Sequence, residues 1–124
     1  GTWGAEVVAG MGPQEGDMVV EGKRGLCAFQ STNLHFILRG RKIENVALGG
    51  FLTNCCVESS MRTAYENGFN VFTLVDCVAA TSEEEQRVAI EKDFPMFSHP
   101  VNHNEFLGIL AGEVEAADAS RGYD

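Results

Sequence analysis

The sequence predicts an α/β domain in which a parallel sheet carries helices on both faces. Two observations lead there. The runs "NVALGGFL" (45–52) and "NVFTLVDCV" (70–78) are apolar almost throughout, as in strands buried on both sides. Segments of helical period alternate with them across connections of a few residues, the pattern of right-handed parallel crossovers. A chain of 124 residues can bury one such core.

In chain order, "GTWGAEVV" opens as a loop with no strand before it. "DMVVEG" (17–22) is a short β-rich run after the turn-forming "GPQEG". "STNLHFILRGRKI" (31–43) reads as a helix capped by Ser31 or Thr32, with Leu34, Ile37 and Leu38 on one face. After the strand 45–52 the pattern turns helical from Thr53 to Asn67. Val57, Met61, Ala64 and Tyr65 share one side, and Gly68 supplies the stop. Beyond the strand 70–78, "TSEEEQRVAIEKDF" (81–94) begins with a capping-box spacing, Ser82 to Glu85, and is expected to stop before Pro95. "MFSH" suits a short final strand and "NHNEFLGILAG" (102–112) a last helix. Residues 1–112 therefore read as one domain portion and 113–124 as an acidic, flexible tail. Three or four strands make a thin sheet, so residue 1 is expected not to be the biological start.

The net charge of −9 argues against nucleic acid or an anionic membrane surface as partner. No apolar run reaches the roughly 18–20 residues of a membrane span. Four cysteines, Cys27, Cys55, Cys56 and Cys77, lie in or beside core-like segments, a usage that fits reduced thiols and a cytoplasmic setting.

The chemistry centres on "GGFLTNCCVES" (49–59), where a strand, a glycine turn and two thiols meet the start of a helix. Ligands of open α/β sheets sit at the carboxyl ends of the strands. A thiol in a first helical turn is acidified by the local positive potential, and unpaired amides there can hold an oxyanion. Buried cysteine also serves as a small hydrophobe, and periodicity does not choose between Cys55 and Cys56.

These residues resemble the signature of the isochorismatase-like cysteine hydrolases, which include nicotinamidases, N-carbamoylsarcosine amidases and ureidoacrylate hydrolases. The resemblance runs through "GTWGAEVV", "PQEGDMVVEGKRGLCAF", "STNLHFILRGR", "LTNCCVES" and "GFNVFTLVDCVAATS", nearly to residue 107. It implies a Rossmann-like isochorismatase fold, incomplete in this chain, and a nucleophile at Cys56, the cysteine preceding Val57, with Cys55 a spectator. It implies a catalytic Lys23 in "EGKRG" and a cis peptide between Phe51 and Leu52. The oxyanion hole falls to the amides of Leu52 and Cys56, and Trp3 and Phe29 become substrate-binding candidates. The family's catalytic aspartate ends a strand that has no counterpart here. Metal ligands of the nicotinamidase branch also precede "GTWGAE", so the resemblance places no metal and no cofactor in this chain.

Local substitutes are weak. Asp17 reads as a turn partner of Gly16, and Asp76 as a capping or loop group at the end of a strand. His99 and His103 have i, i+4 spacing, but Pro100 argues against one helical face. The expected activity is hydrolysis of a small amide, ureide or related C–N bond through a thioester, in a homo-oligomer. The alternative is a truncated or degenerate member serving as a non-catalytic oligomerisation or binding module.

Overall fold

The computed structural model describes residues 2–112. The predicted tail, 113–124, lies outside the described residues. Three parallel strands form the sheet in the order β1 (Asn45–Phe51), β2 (Asn70–Ala79), β3 (His99–Val101). Around them run α1 (Leu34–Gly40), α2 (Glu58–Glu66), α3 (Glu83–Val88), α4 (Phe94–Phe97) and α5 (His103–Leu110).

Side chains alternate across a strand, so the neighbours of β2 reveal which helix covers which face. Phe72 meets Phe106 of α5 at 5.4 Å between ring centres. The next residue, Thr73, turns the other way and its hydroxyl lies 3.5 Å from the Met61 sulfur of α2. Helices therefore cover both faces of β2, as the apolar runs predict. The core lies on the α2 side, where Val57, Met61, Ala64, Phe69, Val71, Ala89 and Phe94 are buried together with Cys27 and Phe29. Met61 and Phe94 are fully enclosed.

Helix α2 ends as Gly68 predicts. Gly68 takes a positive φ of 79°, its amide donates to Tyr65 O, and the Phe69 amide donates to Ala64 O. That pair of bonds closes a Schellman motif and leads Phe69 into the core. At α3, Ser82 Oγ accepts the Glu85 amide at 3.2 Å.

Several expectations are corrected. The run 17–22 forms no strand among the described residues. Met18 and Val19 are exposed, and the run pairs with none of β1, β2 and β3. Helix α1 starts at Leu34; Thr32 Oγ1 accepts the Leu34 amide, while Ser31 occupies φ 59° in the preceding turn. The segment after α3 does not stop before Pro95. A π turn, Ala89–Asp93, widens the helix so that the Phe94 amide bonds back to Ala89 O. Pro95 then falls in the first turn of α4, where its missing N–H costs nothing. Because α4 consumes Phe94–Phe97, β3 begins at His99, later than "MFSH" suggested.

Candidate active site

Cys55 and Cys56 occupy a π turn, Thr53–Val57, between the carboxyl end of β1 and α2. The peptide bond between Phe51 and Leu52 is cis. Both cysteines are half-buried, and all four cysteines are free thiols. The wide turn changes the backbone register. Leu52 O accepts the Cys55 amide at 3.1 Å and the Val57 amide at 3.2 Å, passing over the Cys56 amide between them. An amide in a first helical turn that the preceding carbonyl passes over is placed to serve a ligand as donor.

Three polar residues hold this turn. Thr53 is fully buried and its hydroxyl donates to Gln86 Oε1 at 2.6 Å. The Gln86 amide donates in turn to Val78 O at 3.2 Å, tying α3, the turn and the end of β2 together. Ser60 Oγ donates to Cys56 O at 2.8 Å and accepts the Ala28 amide at 2.9 Å. The loop that carries Lys23 is thereby joined to the backbone of Cys56. Cys27 adds a second tie, its thiol donating to Thr63 Oγ1 at 3.1 Å. Burial alone would raise Cys27, but bonds from Thr63 and from the Phe29 and Gln30 amides outweigh it and lower the thiol.

The remaining candidates are placed less closely. Lys23 is exposed, and the hydrogen bond its ammonium makes is to Gly25 O at 2.6 Å, not to Cys56. Among the described residues no hydrogen bond reaches the Cys56 thiol. Trp3 is 87% exposed. Phe29 is buried, with its ring 6.1 Å from that of Phe69, so it packs the core. Asp17 closes the Gln14–Asp17 turn, its carboxylate accepting the Gln14 amide at 2.8 Å beside Gly16 at φ 93°. His99 starts β3 and His103 starts α5, so the two share no helical face.

One concavity, about 750 Å³, lies at the amino ends of the strands between Asn45, Asn70 and His99. A second, about 530 Å³, lies between Met18–Glu21 and Ser31–Asn33. Neither is lined by Cys56 or Lys23. The candidate site lies at the strand ends and the π turn, because the chemistry needs the thiol and neither groove supplies it. Sequence reading missed Gln86, Ser60 and Thr63. Their far partners, Thr53 for Gln86, Ala28 for Ser60 and Cys27 for Thr63, are met only in the fold, and no local spacing announces them.

The isochorismatase domain model matches residues 1–105. The chain belongs to the isochorismatase family. It is 30% identical over 119 residues to a ureidoacrylate amidohydrolase, RutB, of Agrobacterium fabrum, a match covering 95% of this chain and 52% of the relative. The solved isochorismatase-like hydrolase from Alkaliphilus metalliredigens superposes with a TM-score of 0.82 at 31% identity, over 89% of this chain and 59% of that one. A nicotinamidase/pyrazinamidase, PncA, from Bacillus subtilis gives a TM-score of 0.62 at 27% identity, over 64% and 44%. The chain spans about half the length of the curated relatives it matches.

Proposed function

We propose that the protein is part of a cysteine hydrolase that cleaves a small amide or ureide C–N bond. The observation that carries this reading is Cys56 in the π turn at the carboxyl end of β1, with its amide passed over by Leu52 O. The relatives named as an amidohydrolase and a nicotinamidase support the substrate class.

In this reading the Cys56 thiolate attacks the substrate carbonyl and a C–S bond forms. A general base that has taken the Cys56 proton holds it while the Leu52 and Cys56 amides bind the oxyanion, and hands it to the leaving amine as the C–N bond breaks. Water then cleaves the thioester and returns the thiol. Lys23 would have to turn from Gly25 O to bring its charge to the site. Cys55, one residue away in the same turn, takes no part.

The test is turnover of a panel of small amides and ureides by a version extended to the length of the relatives. Cys56→Ala should lower kcat by roughly 10³-fold or more while Cys55→Ala leaves it near parent; an active Cys56→Ala variant ends the assignment. A second reading, a non-catalytic association module, is favoured by one feature. Val7, Val8, Met11, Met18 and Val19 are all exposed, a spread of apolar surface that invites self-association into a homo-oligomer. Iodoacetamide separates the readings: fast alkylation of Cys56 relative to Cys55 supports catalysis, whereas equal slow labelling supports the module. Sedimentation that finds only monomer counts against the oligomer.

A further inference from the structure

A second cluster of reactive side chains sits outside the candidate active site. Strand β2 loses register with β1, since Leu48 pairs with Thr73 but Gly50 pairs with Val78. Residues 74–77 of β2 thus face the single residue Gly49 and bulge outward. Gly49 permits this because a Cβ there would lie 3.1 Å from Cys77 O and 3.3 Å from Cys77 Cβ. The bulge exposes Asp76 and Cys77 side by side, with Cys77 Sγ 3.6 Å from Asp76 Oδ1.

The start of α5 completes the group. The His103 amide donates to Asp76 Oδ1 at 2.9 Å, and His103 Nδ1 bonds the other carboxylate oxygen. One sulfur, one imidazole nitrogen and one carboxylate oxygen then all lie within 4.8 Å of one another, open to solvent. Sulfur and imidazole donors suit zinc-like ions, whereas calcium and magnesium call for oxygen.

We propose that Asp76, Cys77 and His103 form a surface site for a divalent transition metal of the zinc type. The charges agree with a dication. The Asp76 carboxylate is exposed, and a thiol that binds a metal gives up its proton, so two anionic ligands would face the cation. To admit the metal the Asp76–His103 side-chain contact opens, while the bond from the His103 amide keeps the carboxylate aimed. Three protein ligands leave a fourth position for water or an external group. The cluster shares no residue with the Cys56 turn.

Cobalt(II) titrated into the full chain, kept reduced with a phosphine, tests the proposal. A sulfur-to-cobalt charge-transfer band with intense visible bands is expected at one equivalent, and zinc should displace it. Cys77→Ser should abolish the charge-transfer band, and His103→Ala should weaken binding at least about tenfold, the His103 amide bond being retained. Cys56→Ser should leave the titration unchanged. The proposal is overturned by a spectrum without a sulfur band, by binding that survives Cys77→Ser intact, or by binding lost with Cys56→Ser.

Discussion

Replacing Ser60 by Ala tests the idea that the loop of Lys23 and the turn of Cys56 are one mechanical unit. The Ser60 hydroxyl makes two bonds, donating to Cys56 O at 2.8 Å and accepting from the Ala28 amide at 2.9 Å. Its side chain is 6% exposed, so water does not readily replace it. Each bond contributes a net ~0.5–1.5 kcal/mol, and the substitution should cost about 1–3 kcal/mol. For a chain of this size that is a fall in Tm of roughly 4–12 °C. Urea unfolding followed by circular dichroism gives the value directly. Thr63→Val, which removes the acceptor of the Cys27 thiol, supplies the second arm. If both residues secure the same loop, the double variant loses less than the sum, with an interaction of about 0.5–1 kcal/mol. Loss below about 0.5 kcal/mol in Ser60→Ala, or strict additivity of the pair, would refute the coupling.

Other substitutions probe the rest of the scaffold. Phe94→Ala empties the centre of the core, where Phe94 is fully enclosed, and should cost about 3–5 kcal/mol in urea unfolding, with Phe94→Leu costing far less. Gly68→Ala must hold a Cβ at φ 79°; its nearest neighbour would be Arg39 Nη2 at 3.6 Å, so the loss of about 1 kcal/mol should be conformational and not steric. Glu58 is raised by burial and by the Asp93 carboxyl beside it, with Arg62 at 3.2 Å pulling only partly back. Its Oε1 is buried without a hydrogen bond among the described residues. A raised folded pKa means the folded chain binds the proton more tightly, so its stabilising effect is full in acid and fades as pH rises through the folded value. Glu58→Gln should therefore flatten the decline of Tm above the usual glutamate range; an unchanged slope would count against this assignment.

What the sequence made legible is what depends on neighbours a few residues away. Gly68 ends α2 and Ser82 caps α3, because each motif is closed by its own backbone. Pro95 misled because its meaning depends on a π turn just upstream. That turn converts a helix breaker into a tolerated first-turn residue and pushes β3 three residues along. The run 17–22 misled for the opposite reason. Its composition suits a strand, but a strand exists only when a partner lies beside it. The same division applies to the chemistry. The Cys56 candidate rests on a motif continuous in sequence, whereas Gln86 reaches the turn from thirty-three residues beyond Thr53, and Ser60 ties it to Ala28, thirty-two residues earlier. His103 was read against His99, its neighbour by spacing, although the fold turns between them and sets His103 on Asp76, twenty-seven residues earlier. Parallel sheets gather groups at strand ends from distant parts of the chain. A site built there becomes visible only when the register is known, and it is the register slip opposite Gly49 that brings Asp76 and Cys77 outward to meet His103.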